Sequence, residues 1–166
     1  NYKFKKRIDM VLILKSINID GHFSISNDIT ERLIFFGIQS QYVELNIVRT
    51  SIFKPQIKIQ SKIYIYNGLK PGNEQIYGKE IYEKVVKILP EYEYIYSNKL
   101  NLPYEKMPEI YSQCFIGLRL TEHDGNANTV QELEEMNIPV IHNLSNYGLK
   151  WESVDDIIKH IKDNEY

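Results

Sequence analysis

The chain has 166 residues, with 22 acidic and 20 basic side chains and a formal net charge of −2. That length predicts one domain with room for an appendage and a sizeable core. The near-neutral charge removes the electrostatic case for nucleic acid as a main partner. No apolar run is long enough to span a bilayer. The lone cysteine, Cys114, excludes an internal disulfide and fits a reducing, cytoplasmic compartment. It lies in an apolar run, where a buried small hydrophobe is expected rather than a nucleophile.

The first residue is Asn1 rather than Met, which reads as a trimmed piece. The basic start, Lys3 to Arg7, leads only into a short apolar run, so no secretory signal is visible. That run, Met10-Val11-Leu12-Ile13-Leu14, is continuous and predicts a strand buried on both faces. Asp28 with Glu31 three residues on begins a helix that runs through Leu33, Ile34 and Phe35 and stops at Gly37. Residues 42–48 alternate and read as a strand. Phe53-Lys54-Pro55 breaks the pattern and sets a boundary near residue 55.

Beyond the boundary, residues 62–66 read as a strand, followed by a loop with the turn signals Asn67-Gly68 and Pro71-Gly72. Lys79 to Leu89 is a helix with an apolar stripe of Ile81, Val85, Val86 and Ile88, closed by Pro90. Residues 92–96 form a strand, and Pro108 opens a short helix through Gln113. Residues 115–118 are a strand, Thr129 to Met136 a helix, Val140-Ile141 a strand. Ser153 caps a last helix through Ile161. This alternation predicts an α/β fold, a Rossmann-like parallel sheet with helices on both faces.

In such a sheet, ligands sit beyond the carboxyl ends of the strands. The segment after strand 115–118, Thr121 to Asn128, holds a single apolar side chain, Ala127. A loop this polar leaves backbone N–H groups able to face an anion. Asn126, Asn128 and Thr129 can cap the following helix or contact phosphate. Asp124 precedes the helix and Glu132 lies about one turn inside it. Residue by residue, ordinary readings compete: Asp124 compensates the helix dipole, Glu132 joins a solvated face with Glu134 and Glu135, and Arg119 pairs with Glu122 or Asp124. His123 is a proton donor, an anion contact or plain structure. No zinc-ligand spacing, Walker sequence or Gly-x-Gly-x-x-Gly run occurs.

The stretch Arg119-Leu120-Thr121-Glu122-His123-Asp124-Gly125, the eight-residue step from Asp124 to Glu132, and Asn137-Ile138-Pro139-Val140-Ile141 together resemble the donor-binding segment of retaining GT-B glycosyltransferases of the group 1, family 4-like kind. That family carries Glu-x7-Glu and then Gly-x-Pro-Val-Ile. Tyr77-Gly78 and Met107-Pro108-Glu109-Ile110-Tyr111 also look like one subset of it. The resemblance covers residues 60–145 well and 8–55 loosely. It implies that residues 56–166 are the nucleotide-sugar-binding domain, and residues 1–55 the end of the N-terminal domain plus linker. The implied reaction moves a sugar from a nucleotide diphosphate to an acceptor hydroxyl (on a glycan, lipid or protein) with retention, without a metal or other cofactor. Turnover would need the remaining acceptor half, supplied by more chain or by a partner, and any peripheral membrane contact would come through that half.

By the same resemblance, Asp124 bonds the donor sugar and Glu132 the ribose hydroxyls. Asp in the first acidic position retracts that carboxylate by one methylene relative to Glu. Arg119 or Lys70 is expected on the phosphates, and His123, Gly125, Asn126, Asn128 and Thr129 are further donor-binding candidates. Gly68 ends the first strand of the domain as the family's glycine does, and Lys70, then Lys79, are the nearest stand-ins for its basic pair. Each lysine reads equally as a solvated side chain. The base is expected against residues 97–102. The tyrosines at 64, 66, 92, 94 and 96 read as half-buried sheet residues rather than a carbohydrate-stacking surface. Two other classes remain in view: a non-enzymatic nucleotide-binding or interaction module on the same fold, and a receiver-like domain, disfavoured because Leu14-Lys15-Ser16 lacks the acids such a site needs.

Overall fold

The computed structural model describes residues 12–16, 21–43, 45, 48–55, 61–121, 127–143 and 148–165. The chain divides into two compact units, Asn1–Leu45 and Asn46–Tyr166.

In the first unit, β1 (His22–Ser24) and β2 (Ser40–Tyr42) pair in parallel, joined through α1 (Asn27–Phe35). Ser26 occupies the N-cap position with extended backbone. Asp28 in the first turn forms an ion pair with Arg32 one turn on, at 2.9 Å. The expected stop at Gly37 is present, at φ 72°. Gly37 N–H donates to Ile34 O and Ile38 N–H to Leu33 O, the paired bonds that end a helix on a left-handed residue. Two expectations need correction. Of the run expected as a buried strand, Met10 and Val11 lie outside the described residues, while residues 12–16 are helical and Leu12 is 60% exposed. A short apolar run carries no periodicity that separates strand from helix. The strand expected over 42–48 forms earlier, at Ser40–Tyr42. There Val43 N–H still reaches Ser24 O, but Val43, Leu45 and Val48 are not in strand.

The second unit is built on a four-stranded parallel sheet: β3 (Lys62–Ile65), β4 (Glu93–Tyr96), β5 (Cys114–Leu118) and β6 (Val140–Ile141), in the order β4-β3-β5-β6. Phe53 is buried in the core of this unit. Between the strands run α2 (Lys79–Ile88), α3 (Met107–Tyr111) and α4 (Asn128–Glu135), and α5 (Val154–Asp163) closes the chain. Ile63, Ile65, Ile116 and Leu118 face a core shared with Tyr82, Val85 and Leu89 of α2 and with Ile157 and Ile161 of α5. Tyr64, Cys114 and Val140 face the opposite core, with Tyr111 of α3 and Val130 and Leu133 of α4. Helices therefore cover both faces of a parallel sheet, and the fold is α/β and Rossmann-like. A register irregularity at the start of β5 puts Cys114 on one face and both Phe115 and Ile116 on the other, as an inserted residue does.

Local chemistry explains the close packing. A Cβ on Gly117 would lie 2.5 Å from Leu133 Cδ1, so only glycine lets α4 approach β5 this closely. α4 ends on Asn137 at φ 57°, with Asn137 N–H on Glu134 O and Ile138 N–H on Leu133 O. Asn is among the few side chains that accept this left-handed position readily. Ser153 caps α5, accepting from Asp156 N–H while the Asp156 carboxylate accepts from Ser153 N–H. Among the described residues, no helix is long and apolar enough to cross a membrane.

Candidate functional site

Strand order reverses between β3 and β5: from β3 the chain crosses to β4 on one side, and from β5 to β6 on the other. The carboxyl ends of two such neighbours leave a crevice between their outgoing loops. A cavity of about 470 Å³ occupies this place. Its walls come from the ends of β3 (Tyr64, Tyr66), the segment after β4 (Ser97, Leu100, Leu102), the turn into α3 (Tyr104, Met107, Tyr111) and the start of α4 (Asn128, Thr129, Glu132), with Arg119 from β5.

Register sets the cationic wall. Ile65 pairs with Leu118, and Tyr66 N–H donates to Leu118 O at 2.9 Å. Tyr66 and Arg119 therefore leave adjacent strand ends side by side. The Arg119 guanidinium lies 4.0 Å from the Tyr66 ring centre and 5.7 Å from that of Tyr77. Its Nη1 donates to Thr129 Oγ1 at 3.3 Å. The side chain is only 8% exposed, and its backbone is fixed by Arg119 N–H on Ile141 O and by His142 Nδ1 at 3.0 Å from Arg119 O.

Glycines make this arrangement possible. A Cβ on Gly68 (φ 101°) would lie 3.3 Å from the Tyr77 ring, and one on Gly78 (φ 70°) would lie 2.3 Å from Leu120 O. Tyr77 and Gly78 thus dock the loop after β3 onto the chain leaving β5. The same loop is tied to the end of β4: Ser97 Oγ donates to Gly68 O at 2.6 Å and accepts from Asn67 N–H at 2.9 Å.

Glu132 forms the acidic floor. It is 4% exposed, so it does not belong to a solvated face with Glu134 and Glu135. The Tyr111 hydroxyl donates to Glu132 Oε2 at 2.8 Å, and the Tyr104 phenol lines the same cavity. Burial holds the Glu132 carboxyl above the usual carboxylate range, opposed by these two phenols and by the attraction of Arg119. Tyr111 is raised well above its usual value, first by burial and then by its neighbours Tyr64 and Glu132. The Tyr104 phenol is pushed up to about 12, chiefly by burial and then by Glu132. A Tyr111 phenol that stays protonated is a fixed donor toward the carboxylate.

Of the residues singled out in the sequence, Arg119, Asn128, Thr129 and Glu132 come together on this cavity. Gly68 is buried and does not line it. Lys70 is exposed and is not among the lining residues, and Lys79 is 3.8 Å from Glu83 one turn along α2. His123, Asp124, Gly125 and Asn126 lie outside the described residues. Ser97, Leu100 and Leu102 line the side where a base was expected. Cys114 is fully buried, with burial raising its thiol to about 12, which fits an inert core residue.

The tyrosines carry no functional signal in the sequence. Alternation puts Tyr64 and Tyr66 on one face, and Tyr64 is core. Tyr66, one step past β3, turns its ring to Arg119. Tyr111 reaches Glu132 from a separate helix, a long-range contact with no local signal. The cavity thus offers a fixed guanidinium beside a helix N-terminus, a carboxylate on its floor and an apolar side of Leu100, Leu102 and Met107. This suits a ligand with an anionic part, hydroxyl groups and a flat apolar part. No protein-family model matches the chain, and no curated protein matches it.

Proposed function

We propose that this chain is the donor-binding part of a retaining GT-B glycosyltransferase and that the cavity between the ends of β3 and β5 holds a nucleotide-diphosphate sugar. The observation that carries the reading is the position of Glu132. It is a buried carboxylate one turn into the helix that starts at the switch point, eight residues after Asp124, with an arginine at the mouth of the same cavity. An acid buried there has to be matched by donors, and ribose hydroxyls are such donors.

In this reading the first turn of α4 and Arg119 face the diphosphate, where partial positive charge and a guanidinium fork stabilise the leaving group. Glu132 accepts from the ribose, and the base lies against Leu100, Leu102 and Met107. Asp124, with His123, Gly125 and Asn126 beside it, addresses the sugar. In the transfer, the bond from the anomeric carbon to the diphosphate oxygen breaks with its electrons going to the diphosphate. A bond to the acceptor oxygen forms on the same face, and the acceptor proton leaves with the nucleoside diphosphate. The acceptor site lies outside the residues proposed for the donor, on further chain or a partner.

Calorimetric titration with UDP, GDP and ADP tests this reading. Saturable binding of at least one nucleotide, lost in Glu132→Ala while the variant stays folded, is the expected result. Unchanged affinity in that variant would remove the ribose role, and no binding by the wild type would remove the donor site.

A further inference from the structure

The Arg119 guanidinium meets the cavity in an unusual setting. It sits against the face of Tyr66 at 4.0 Å, and Tyr77 stands edge-on to Tyr66 with ring centres 4.9 Å apart at 85°. Both rings belong to the segment leaving β3, and the arginine to the segment leaving β5. The rings are locked by features unrelated to the arginine. Tyr66 N–H continues the β3–β5 ladder on Leu118 O. Gly68 gives the Tyr77 ring its space, and Gly78 lets the segment lie against Leu120 O where no side chain fits. The guanidinium is therefore held by a preformed aromatic wall, and its Nη1 edge points to Thr129 in the first turn of α4.

We infer that Tyr66 is a positioning residue that fixes the Arg119 guanidinium plane, so that its N–H edge meets an anion at the α4 N-terminus, and that the Tyr66–Arg119 pair makes this cavity selective for the diphosphate part of its ligand. This rests on the donor-site reading above and deepens it. A guanidinium that stacks on a ring keeps its N–H fork in the plane parallel to that ring. Less rotamer freedom is then lost when the fork closes on phosphate. The ring is what matters, and the phenolic hydroxyl is dispensable.

The test compares wild type with Tyr66→Phe, Tyr66→Leu and Tyr66→Met, each checked for folding by thermal melt. Affinities are measured for UDP, GDP and ADP and for the matching nucleosides. Tyr66→Phe binds the diphosphate within about twofold of wild type, because the face remains. Tyr66→Leu and Tyr66→Met fill the space without a π face and lose about tenfold for the diphosphate while keeping nucleoside affinity, the size expected of a desolvated cation–π contact. Equal diphosphate affinity in all four proteins overturns the inference and leaves the donor site standing. An equal loss for nucleoside and diphosphate also overturns it, since a merely structural tyrosine would behave so. So does a tenfold loss in Tyr66→Phe. A wild type that binds no nucleotide overturns the donor-site reading itself, and this inference with it.

Discussion

The two faces of the four-stranded sheet are built from the same strands but solve different problems. One face packs Ile63, Ile65, Ile116 and Leu118 against α2 and α5, with aliphatic and aromatic contacts throughout. The other buries Tyr64 and Tyr111 against α4, together with Glu132 of that helix, and leaves Arg119 stacked at its carboxyl-end rim. An aliphatic face gains stability in proportion to the area it removes from water. A buried carboxylate with phenolic partners gains little and costs desolvation. The second face therefore gives up stability at one end, and that end is where the cavity lies. Sites that violate the rules of a good core are where function is expected.

The largest effect that would sharpen this contrast is on the aliphatic face. Ile116→Ala is expected to cost about 2–5 kcal/mol in urea unfolding while leaving ligand affinity of the folded protein unchanged. A comparable loss of affinity would mean that the two faces are not independent. Next comes the loop that docks on β5. Gly78→Ala puts a Cβ against Leu120 O in a left-handed backbone and should cost about 1–3 kcal/mol, and here nucleotide affinity falls as well because Tyr77 moves.

Smaller, and opposite in sign, is Glu132→Gln. Burial raises the folded pKa of Glu132 above the unfolded value, so the folded chain binds this proton more tightly. The stability from this group is fully present below the unfolded pKa and is lost as pH rises through the raised folded one. Glu132→Gln escapes that loss. Its urea midpoint should exceed that of wild type near about pH 8, with the gap closing toward about pH 4. A gap that widens on acidification would show that Glu132 is stabilised as an anion and that its burial is not costly. The smallest effect is Lys70→Ala. The side chain is exposed and away from the cavity lining, so stability should change by no more than about 0.5 kcal/mol, and nucleotide affinity by less than about threefold. A tenfold drop would place Lys70 on the ligand.

Much of the second unit was legible because local signals agree there. The strands at 62–65, 93–96, 114–118 and 140–141 fall where apolar runs meet turn residues. Ser153 announces α5 through its cap. Asn137 explains the Asn-x-Pro-Val-Ile run: the position needs a left-handed backbone, which Gly or Asn supplies. The aromatic and phenolic partners were not legible. Tyr111 reaches Glu132 across 21 residues, and Tyr66 meets Arg119 only once β3 and β5 are in register. Neither contact leaves a trace in spacing. The opening apolar run failed for another reason: a short apolar run has no periodicity to separate helix from strand, and Leu12 and Ile13 are exposed rather than buried.

The crevice between the ends of β3 and β5 is the one location on which donor binding depends. Amide hydrogen exchange with and without a bound nucleoside diphosphate tests it most directly. Slower exchange confined to residues 66–78, 97–104 and 127–132, with α5 (Val154–Asp163) unchanged, is the result predicted. Protection centred on α5 or in the Asn1–Leu45 unit, with residues 127–132 unaffected, would contradict it.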